Sequence, residues 1–511
     1  MPAAAASCLA GTTTWGPAPG SMPYAEKEKK MNASTKARAG LVALLAIATA
    51  QLMLVLDDSI VNIALPSIQA DLNVEPVHLP WVVNAYILAF GALLLLGGRT
   101  GDLWGRKRTL QVGIAVFILA SLVGGLGQST AMLIVARAMQ GVGAAMAAPN
   151  ALALIATTFD SRKMRDAALS LYGAMSGIGI VIGLVLGGVL TDLLDWRWVF
   201  FINVPIGLLV LAGSRTLVAA ERHTGRLGTF GAVLGTGGMV ALVYAITRFG
   251  EQGFADPIAY TLIAAAAALL VVFVLTQRTS RSALVPLSLF ADRNRAGAYL
   301  TMLGLAIGPM GTFYVITLYL QQVREYSPLA TGLSWLPFAA GIILGAGIAP
   351  KLLLTVAPRW IAALGAILGA AGAFWFSRIT VDTGYWTGLA PAMLVIALGF
   401  GLGVIALTQA AVYRVDPDKA GIASALLNSA QQIGVALGLA VLAGVAAAVT
   451  AGSASPAPQA LVDGYSTALV VGTGILLAAA VLALLTLSGR VNAEELAANA
   501  PGLNESRDVQ S

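Results

Sequence analysis

Runs of about twenty apolar residues, separated by short polar gaps, recur from one end of the chain to the other. Each run is long enough for an α-helix to cross the ~30 Å hydrocarbon core of a bilayer. None has the strict alternation or the shorter length of a barrel strand. Fourteen spans are expected, near 40–63, 80–98, 109–127, 131–156, 167–190, 198–216, 228–248, 257–277, 297–320, 330–350, 359–377, 386–412, 420–449 and 464–488. The pattern therefore predicts an all-α integral membrane protein.

Composition agrees: 58% of the 511 residues are hydrophobic and only 11% charged, where an ordinary soluble domain is about a quarter charged. Charge placement adds a topology. With the N-terminus placed in the cytoplasm, all but five of the 30 Lys and Arg fall in the two tails or the even-numbered connections. Arg197, Arg248, Arg324 and Arg378 lie in odd connections, and Arg137 lies within a span. Basic residues gather on the cytoplasmic side, so both termini are expected inside. The net charge of +6 then reads as membrane topology and calls for no nucleic-acid partner.

Residues 1–39 form a cytoplasmic tail expected to be disordered, with Met22 and Met31 as alternative starts, and 489–511 form a loose polar tail. The lone cysteine, Cys8, can form no disulfide within the chain. No lysine follows a glycine, so the phosphate-cradling GxxxxGK[ST] loop is absent. His78 and His223 sit in different connections and make no two-histidine zinc motif on one helix. ATP-driven pumping, metal chemistry and an enzymatic role are disfavoured, and no cofactor is expected. What remains is a transporter driven by an ion gradient or by its substrate's own gradient. A membrane sensor would need a larger soluble region than the chain offers.

Three ionisable side chains sit deep in the apolar spans: Asp57 and Asp58 in the first and Arg137 in the fourth. One such charge at the bilayer centre costs roughly 2.5–3.5 kcal/mol on the lenient insertion scale. Three imply mutual pairing or a polar cavity. A carboxylate held away from water beside a permanent guanidinium can load and release a proton; a static ion pair is the alternative. Adjacent residues lie about 100° apart on a helix, so one aspartate is expected in the cavity and the other nearer the outer rim.

The text around these residues resembles a known family. GGRTGDLWGRKRTL, from Gly97, is similar to the loop between helices 2 and 3 of the major facilitator superfamily. LDDSIVNIALPSI, from Leu56, resembles the helix-1 motif of its fourteen-helix drug:proton antiporters, with Asp57 as the motif acid, Ser59 the hydroxyl and Asn62 the amide. RAMQGVGAA from Arg137, WVVNAYILAF from Trp81, WRWVFFINVPIG from Trp196, YSPLATGLSWLP from Tyr326 and AGIASALLNSAQQIGVALG from Ala420 resemble further parts of that subfamily. The resemblance implies two six-helix bundles, 40–217 and 296–488, joined by a two-helix insertion and linker, 218–295. It implies alternating access and proton-coupled export of amphipathic, often cationic drugs or antibiotics, with Asp57, Asp58 and Arg137 in coupling. A narrow metabolite exporter or a proton symporter of the same superfamily is the alternative.

Gly98, Gly101, Asp102, Gly105, Arg106, Lys107 and Arg108 are expected to form a cytoplasmic gating latch, with Asp102 suited to the N-terminal end of the third helix. Helix 5 carries Gly173, Gly177, Gly179, Gly183, Gly187 and Gly188 at spacings that allow close packing. It has Leu184 where the family has proline, which weakens the antiport reading slightly. Cavity candidates are Asn62, Asn84, Tyr86, Gln140, Asn150, Tyr314, Gln409, Asn428 and one of Gln431 and Gln432; each could equally be an interhelical hydrogen bond. Lipid, a small-molecule substrate and protons are the expected partners of a monomer in a bacterial plasma membrane.

Overall fold

The computed structural model of the protein describes residues 24–76, 78–159, 161–218, 227–253, 255–280, 284–415 and 417–488. His223 and the tails 1–23 and 489–511 lie outside them. Fourteen helices are long and apolar enough to span a membrane, and they are numbered here in chain order. They are α1 Gly40–Leu72, α2 Leu79–Trp104, α3 Arg106–Gly125, α4 Thr130–Thr158, α5 Met164–Leu193, α6 Trp198–Thr216 and α7 Thr229–Gly250. After these come α8 Pro257–Thr279, α9 Arg293–Val323, α10 Pro328–Leu353, α11 Pro358–Phe376, α12 Tyr385–Val412, α13 Lys419–Gly452 and α14 Ala457–Thr486. No strand occurs among the described residues. The chain is a multi-pass membrane protein. The helix containing α1 begins at Tyr24, inside the stretch whose composition suggested disorder.

The helices pack as two lobes with one plan. In the N-terminal lobe α2 and α3 pack on α4, α1 on α5 and α6, and α3 on α6. Shifting each number by eight gives the contacts of the C-terminal lobe: α10 and α11 on α12, α9 on α13 and α14, and α11 on α14. The lobes meet through α2 against α13 and α5 against α10, a pair of contacts that the same shift interchanges. That is the pseudo-two-fold relation expected of an internally repeated transporter. Hairpin α7–α8 stands outside the repeat, with α7 seated on α2 and α13.

Glycine sets the closest crossings. A Cβ on Gly113 of α3 would stand 2.7 Å from the carbonyl oxygen of Gly143 on α4, and one on Gly365 of α11 2.5 Å from that of Gly399 on α12. With no hydrophobic drive between helices in lipid, such backbone approach is a main source of packing energy. Helices α2 and α3 are separated by a single residue, Gly105, whose φ of 103° suits glycine.

Where α1 ends and α10 begins, the lobes are tied together. One π-helical turn, Tyr319–Val323, closes α9 and presents two successive amides to α1. Gln321 Nε2 donates to the Ile63 carbonyl and Gln322 Nε2 to Gln69 Oε1, both at 3.0 Å. Ser327 Oγ donates to Asp192 Oδ2 at 3.0 Å, and a Cβ on Gly188 would stand 2.7 Å from Leu329 Cα. Toward the other end, a Cβ on Gly173 or Gly421 would meet nothing within 4 Å.

Candidate functional site

Asp57 sits at the middle of α1, facing into the N-terminal lobe with no exposed surface. Three side chains from two other helices donate to its carboxylate. Arg137 Nη1 of α4 reaches Oδ2 at 2.5 Å, Gln140 Nε2, one turn further along α4, reaches Oδ1 at 2.9 Å, and Asn203 Nδ2 of α6 reaches Oδ1 at 2.7 Å. The two donors on α4 are fixed in turn. Arg137 Nε donates to the Val82 carbonyl at 2.9 Å, and its guanidinium lies 4.4 Å from the centre of the Tyr86 ring. Its Nη1 also donates to Gln140 Oε1 at 3.0 Å, while Gln140 Nε2 donates to Ser121 Oγ of α3 at 2.8 Å. A buried carboxylate and guanidinium offset their desolvation only with such geometry and with their remaining positions bonded. Arg137 Nη2 and Asn203 Oδ1 are enclosed without a partner.

Asp58 points elsewhere. It lines a small inter-lobe pocket with Asn62, Val83 and Ile87 of the N-terminal lobe and Met310, Phe313, Val435 and Leu439 of the C-terminal lobe. Its Oδ1 is shut from solvent and has no donor. Asn62 Nδ2 donates back to the Asp58 carbonyl at 2.8 Å. The aspartates thus divide as their 100° separation requires, but Asp57 lies in the heart of a lobe and not at the outer rim.

The glycines of α5 hold α1 in this pose. Cβ atoms on Gly179, Gly183 and Gly187 would crowd Val55, Ser59 and Ile60, on either side of the aspartates. Leu184 and Gly188 face α10 instead, with the Leu184 carbonyl against Gly332. Gly177 lies beside Ile343, while Gly173 has no neighbour.

The junction between α2 and α3 differs from expectation. Asp102 belongs to the last turn of α2, not the first of α3, because the expected loop is a one-residue break. There it pairs with Arg106 at 3.2 Å. Lys107 Nζ donates to the carbonyls of Arg215 and Leu217 at the end of α6, at 2.7 and 2.8 Å, and Arg108 is exposed. These partners belong to the N-terminal lobe. Gly97 and Gly101 admit α4, at Ala145 and Asn150, while Gly98 lies beside Pro149. Asn150 Nδ2 donates to Gly97 and Met146 carbonyls, an interhelical tie.

Of the other cavity candidates, Tyr86 and Gln140 join the Asp57 cluster and Asn62 the pocket. Asn84 is fully buried with neither amide atom bonded. Tyr314 is buried in the C-terminal lobe, Gln409 and Gln431 are half-buried, Asn428 is exposed, and none of these lines the pocket. Gln432 packs its Cβ on Gly91, where α13 crosses α2. Sequence reasoning did not single out Asn203 or Ser121. An amide in an apolar run, two residues before Pro205, was the available signal for the first. A serine in a membrane helix carries almost none. No group of three or more His, Cys, Asp or Glu able to hold a metal occurs among the described residues.

The profile of the Major Facilitator Superfamily matches residues 47–439. The chain is 44% identical over 469 residues to the puromycin resistance protein pur8 of Streptomyces alboniger, covering 89% of this chain and 92% of that one. It is 38% identical over 459 residues to the cephamycin export protein CmcT of Amycolatopsis lactamdurans, covering 89% and 94%. Among solved structures it resembles a bacterial homologue of the human lysosomal transporter Spinster in an inward-facing, unoccupied conformation. The TM-score there is 0.62 at 17% identity, covering 88% of this chain and 97% of that one. The POT family transporter PepTSo gives 0.64 at 12% identity, covering 87% and 97%. At such identities these two likenesses concern the fold alone.

Proposed function

Because the chain belongs to the major facilitator superfamily, a family of transporters and not of enzymes, we propose that it exports antibiotic-like amphipathic compounds from a bacterial cell in exchange for protons. The single observation carrying the coupling is the buried Asp57–Arg137 pair, set one residue from the acid that faces the inter-lobe pocket. The names of the relatives, which speak of puromycin resistance and cephamycin export, support the substrate class.

A proton arriving at Asp57 removes the charge that holds Arg137, while Arg137 stays charged and keeps its bond to the Val82 carbonyl. The tie between α1 and α4 weakens, and the lobes are free to rock about their pseudo-two-fold axis. Release of the proton on the other side remakes the pair. With both termini and the basic α2–α3 junction in the cytoplasm, the end tied by Gln321, Gln322 and Ser327 is the outer one. The present arrangement is then inward-facing, with the proton released. One proton entering through 100 mV supplies about 2.3 kcal/mol, enough for a roughly fiftyfold gradient of a neutral substrate.

Purified protein in liposomes with an acid lumen tests this. Puromycin or ethidium uptake with matching proton exit, lost in Asp57→Asn and Arg137→Ala, is the expected result. Uptake without proton movement, or unchanged coupling in both variants, sinks the coupling reading. Leu184 in place of the family proline favours one alternative, a narrow metabolite exporter or symporter. A substrate panel run in both directions separates that from drug export.

A further inference from the structure

The two glutamines that tie α9 to α1 act where both helices are irregular. Pro66 lies inside α1. It has no N–H for the Asn62 carbonyl, and its ring crowds that oxygen, a combination that loosens a helix. The next carbonyl, that of Ile63, is the one that Gln321 Nε2 takes, at 3.0 Å. On the facing side, α9 ends in the π turn Tyr319–Val323. Bonds from i to i+5 put more residues in each turn, so neighbouring side chains diverge by less than the 100° of an α-helix. Gln321 and Gln322, adjacent in sequence, thereby both reach α1.

Each half of the contact is anchored in its own lobe. Tyr465 Oη of α14 donates to Gln322 Oε1 at 3.0 Å, which leaves Gln322 Nε2 to donate to Gln69 Oε1 at 3.0 Å. Two residues beyond Gln69, Asp71 Oδ2 accepts from Trp196 Nε1 at 3.1 Å and lies 2.9 Å from Arg197 Nη2. That pins the end of α1 to the N-terminal lobe. One chain of side chains, Tyr465–Gln322–Gln69, thus crosses from lobe to lobe. Neither glutamine bond to α1 joins opposite charges, and Gln322 is exposed where it meets Gln69. Where water can take over, a neutral bond of this kind biases an equilibrium only about twofold to tenfold. That strength suits a contact made and broken in every cycle.

We propose that Gln321 and Gln322 are the gate residues of this end, an uncharged latch to which Pro66 lends the acceptor, the π turn a double reach, and Tyr465 the positioning of Gln322. The proposal rests on the alternating-access reading, which also names this end the outer one. It gives the proline of the ALP sequence and the irregular end of α9 one shared task.

Spin labels on Gln128→Cys and Ala454→Cys, exposed at this end of the two lobes, read the opening as a distance by pulsed electron resonance. Cys8→Ser removes the one native thiol, and the protein is held in nanodiscs without substrate or gradient. Gln321→Ala with Gln322→Ala is expected to raise the ratio of open to closed distances at least about fourfold. Tyr465→Phe should shift it the same way by about twofold. Pro66→Ala should act like Gln321→Ala alone and add little to it, since both weaken one bond. Tyr319→Phe is the control. Its hydroxyl donates to the Thr380 carbonyl within the C-terminal lobe at 2.7 Å, so the distances should not move. Each variant is first checked for native elution and melting. Unchanged distances in the double glutamine variant, an equal shift in Tyr319→Phe, or additive effects of Pro66→Ala and Gln321→Ala each overturn the proposal. An impermeant maleimide on whole cells tests the side separately, since labelling of Ala454→Cys marks this end as outer. Protection of that cysteine with the distance shift intact would keep the gate and reverse the topology. The same shift without drug uptake would keep the gate and remove the transport reading.

Discussion

The N-terminal lobe buries Asp57, Arg137, Gln140, Asn203 and Ser121 as one bonded cluster. The C-terminal lobe, built on the same helix pairings, buries threonines in its interior, Thr301, Thr312, Thr317 and Thr331, beside Phe313, Trp335 and Phe338. Its one buried charge among the described residues is Arg295, near the start of α9. The junctions between the second and third helices of each lobe differ likewise. The α2–α3 turn carries the Asp102–Arg106 pair, whereas the α10–α11 turn has an exposed Lys351 and an Arg359 stacked 4.8 Å from the Trp360 ring, with no acid. Shared packing gives the lobes a common way to rock. Under the proposed mechanism, unequal charge lets a proton act on only one of them, and the other is left to supply an apolar wall for substrate.

The largest test of that difference is to break the cluster. Removing one partner of a buried pair strands the other, at a cost of about 3–5 kcal/mol. Arg137→Ala is therefore expected to lower thermal stability strongly in detergent. Replacing both charges, as in Asp57→Asn with Arg137→Met, should recover much of the loss while proton-coupled uptake stays absent. In the other lobe the sign reverses. The Thr312 hydroxyl is buried without a partner, so Thr312→Val should be neutral or stabilising by up to ~1 kcal/mol. Comparable losses in both lobes would abolish the distinction. Next in size, Asn203→Ala removes a bond to a charged acceptor, for which about 1.5–3 kcal/mol is expected, together with reduced uptake.

Much of this was legible in the sequence, for reasons that differ by feature. The spans could be read because every apolar run must cover the bilayer, although the first helix continues well before its span, back to Tyr24. Asp57 and Arg137 stood out because charge is expensive in lipid, and expense forces pairing. Neutral polar residues carry no such signal. Asn203 entered the cluster unannounced, while Gln409 and Asn428, equally polar on paper, stayed away from it. The pocket's far wall, Met310 with Phe313, was invisible among many apolar side chains. Asp102 was placed on the wrong helix because a break of one residue, Gly105, cannot be told from a loop by composition.

Paired glycine positions sharpen the comparison from the side of what the lobes share. Gly113 on α3 and Gly365 on α11 stand at equivalent crossings, and each would press a Cβ against a facing backbone oxygen. Overpacking of this kind costs about 1–3 kcal/mol. Gly113→Ala and Gly365→Ala should therefore lower the melting temperature by similar amounts, while Gly173→Ala, in open space, should not lower it. A large inequality between the first two would mean that the common plan of contacts does not reflect common energetics.

The smallest effect is expected at an ion pair that belongs to neither lobe. Arg248 Nε meets Asp256 Oδ2 at 2.6 Å where α7 turns toward α8, almost the same separation as Arg137 to Asp57. Asp256 also accepts from the Ile258 N–H at 3.0 Å, capping α8. The Arg248 hydrogen bond, aided by that cap, holds the Asp256 carboxyl below the usual carboxylate range. A group whose pKa is lowered by folding stabilises the fold above its unfolded value of about 3.9 and stops doing so as pH falls through the lower, folded value. The hairpin should thus be indifferent to pH between about 5 and 8 and loosen only in stronger acid. Asp256→Asn should remove that acid response, with a minor loss at neutral pH, since the asparagine oxygen can still accept from the Arg248 and Ile258 N–H groups. Melting of the native protein and the variant across pH 3–7 measures this. A neutral-pH loss as large as that of Arg137→Ala would show that the Asp57 cluster owes its weight to the Asp–Arg contact itself and not to the complete enclosure of both partners and the added donors.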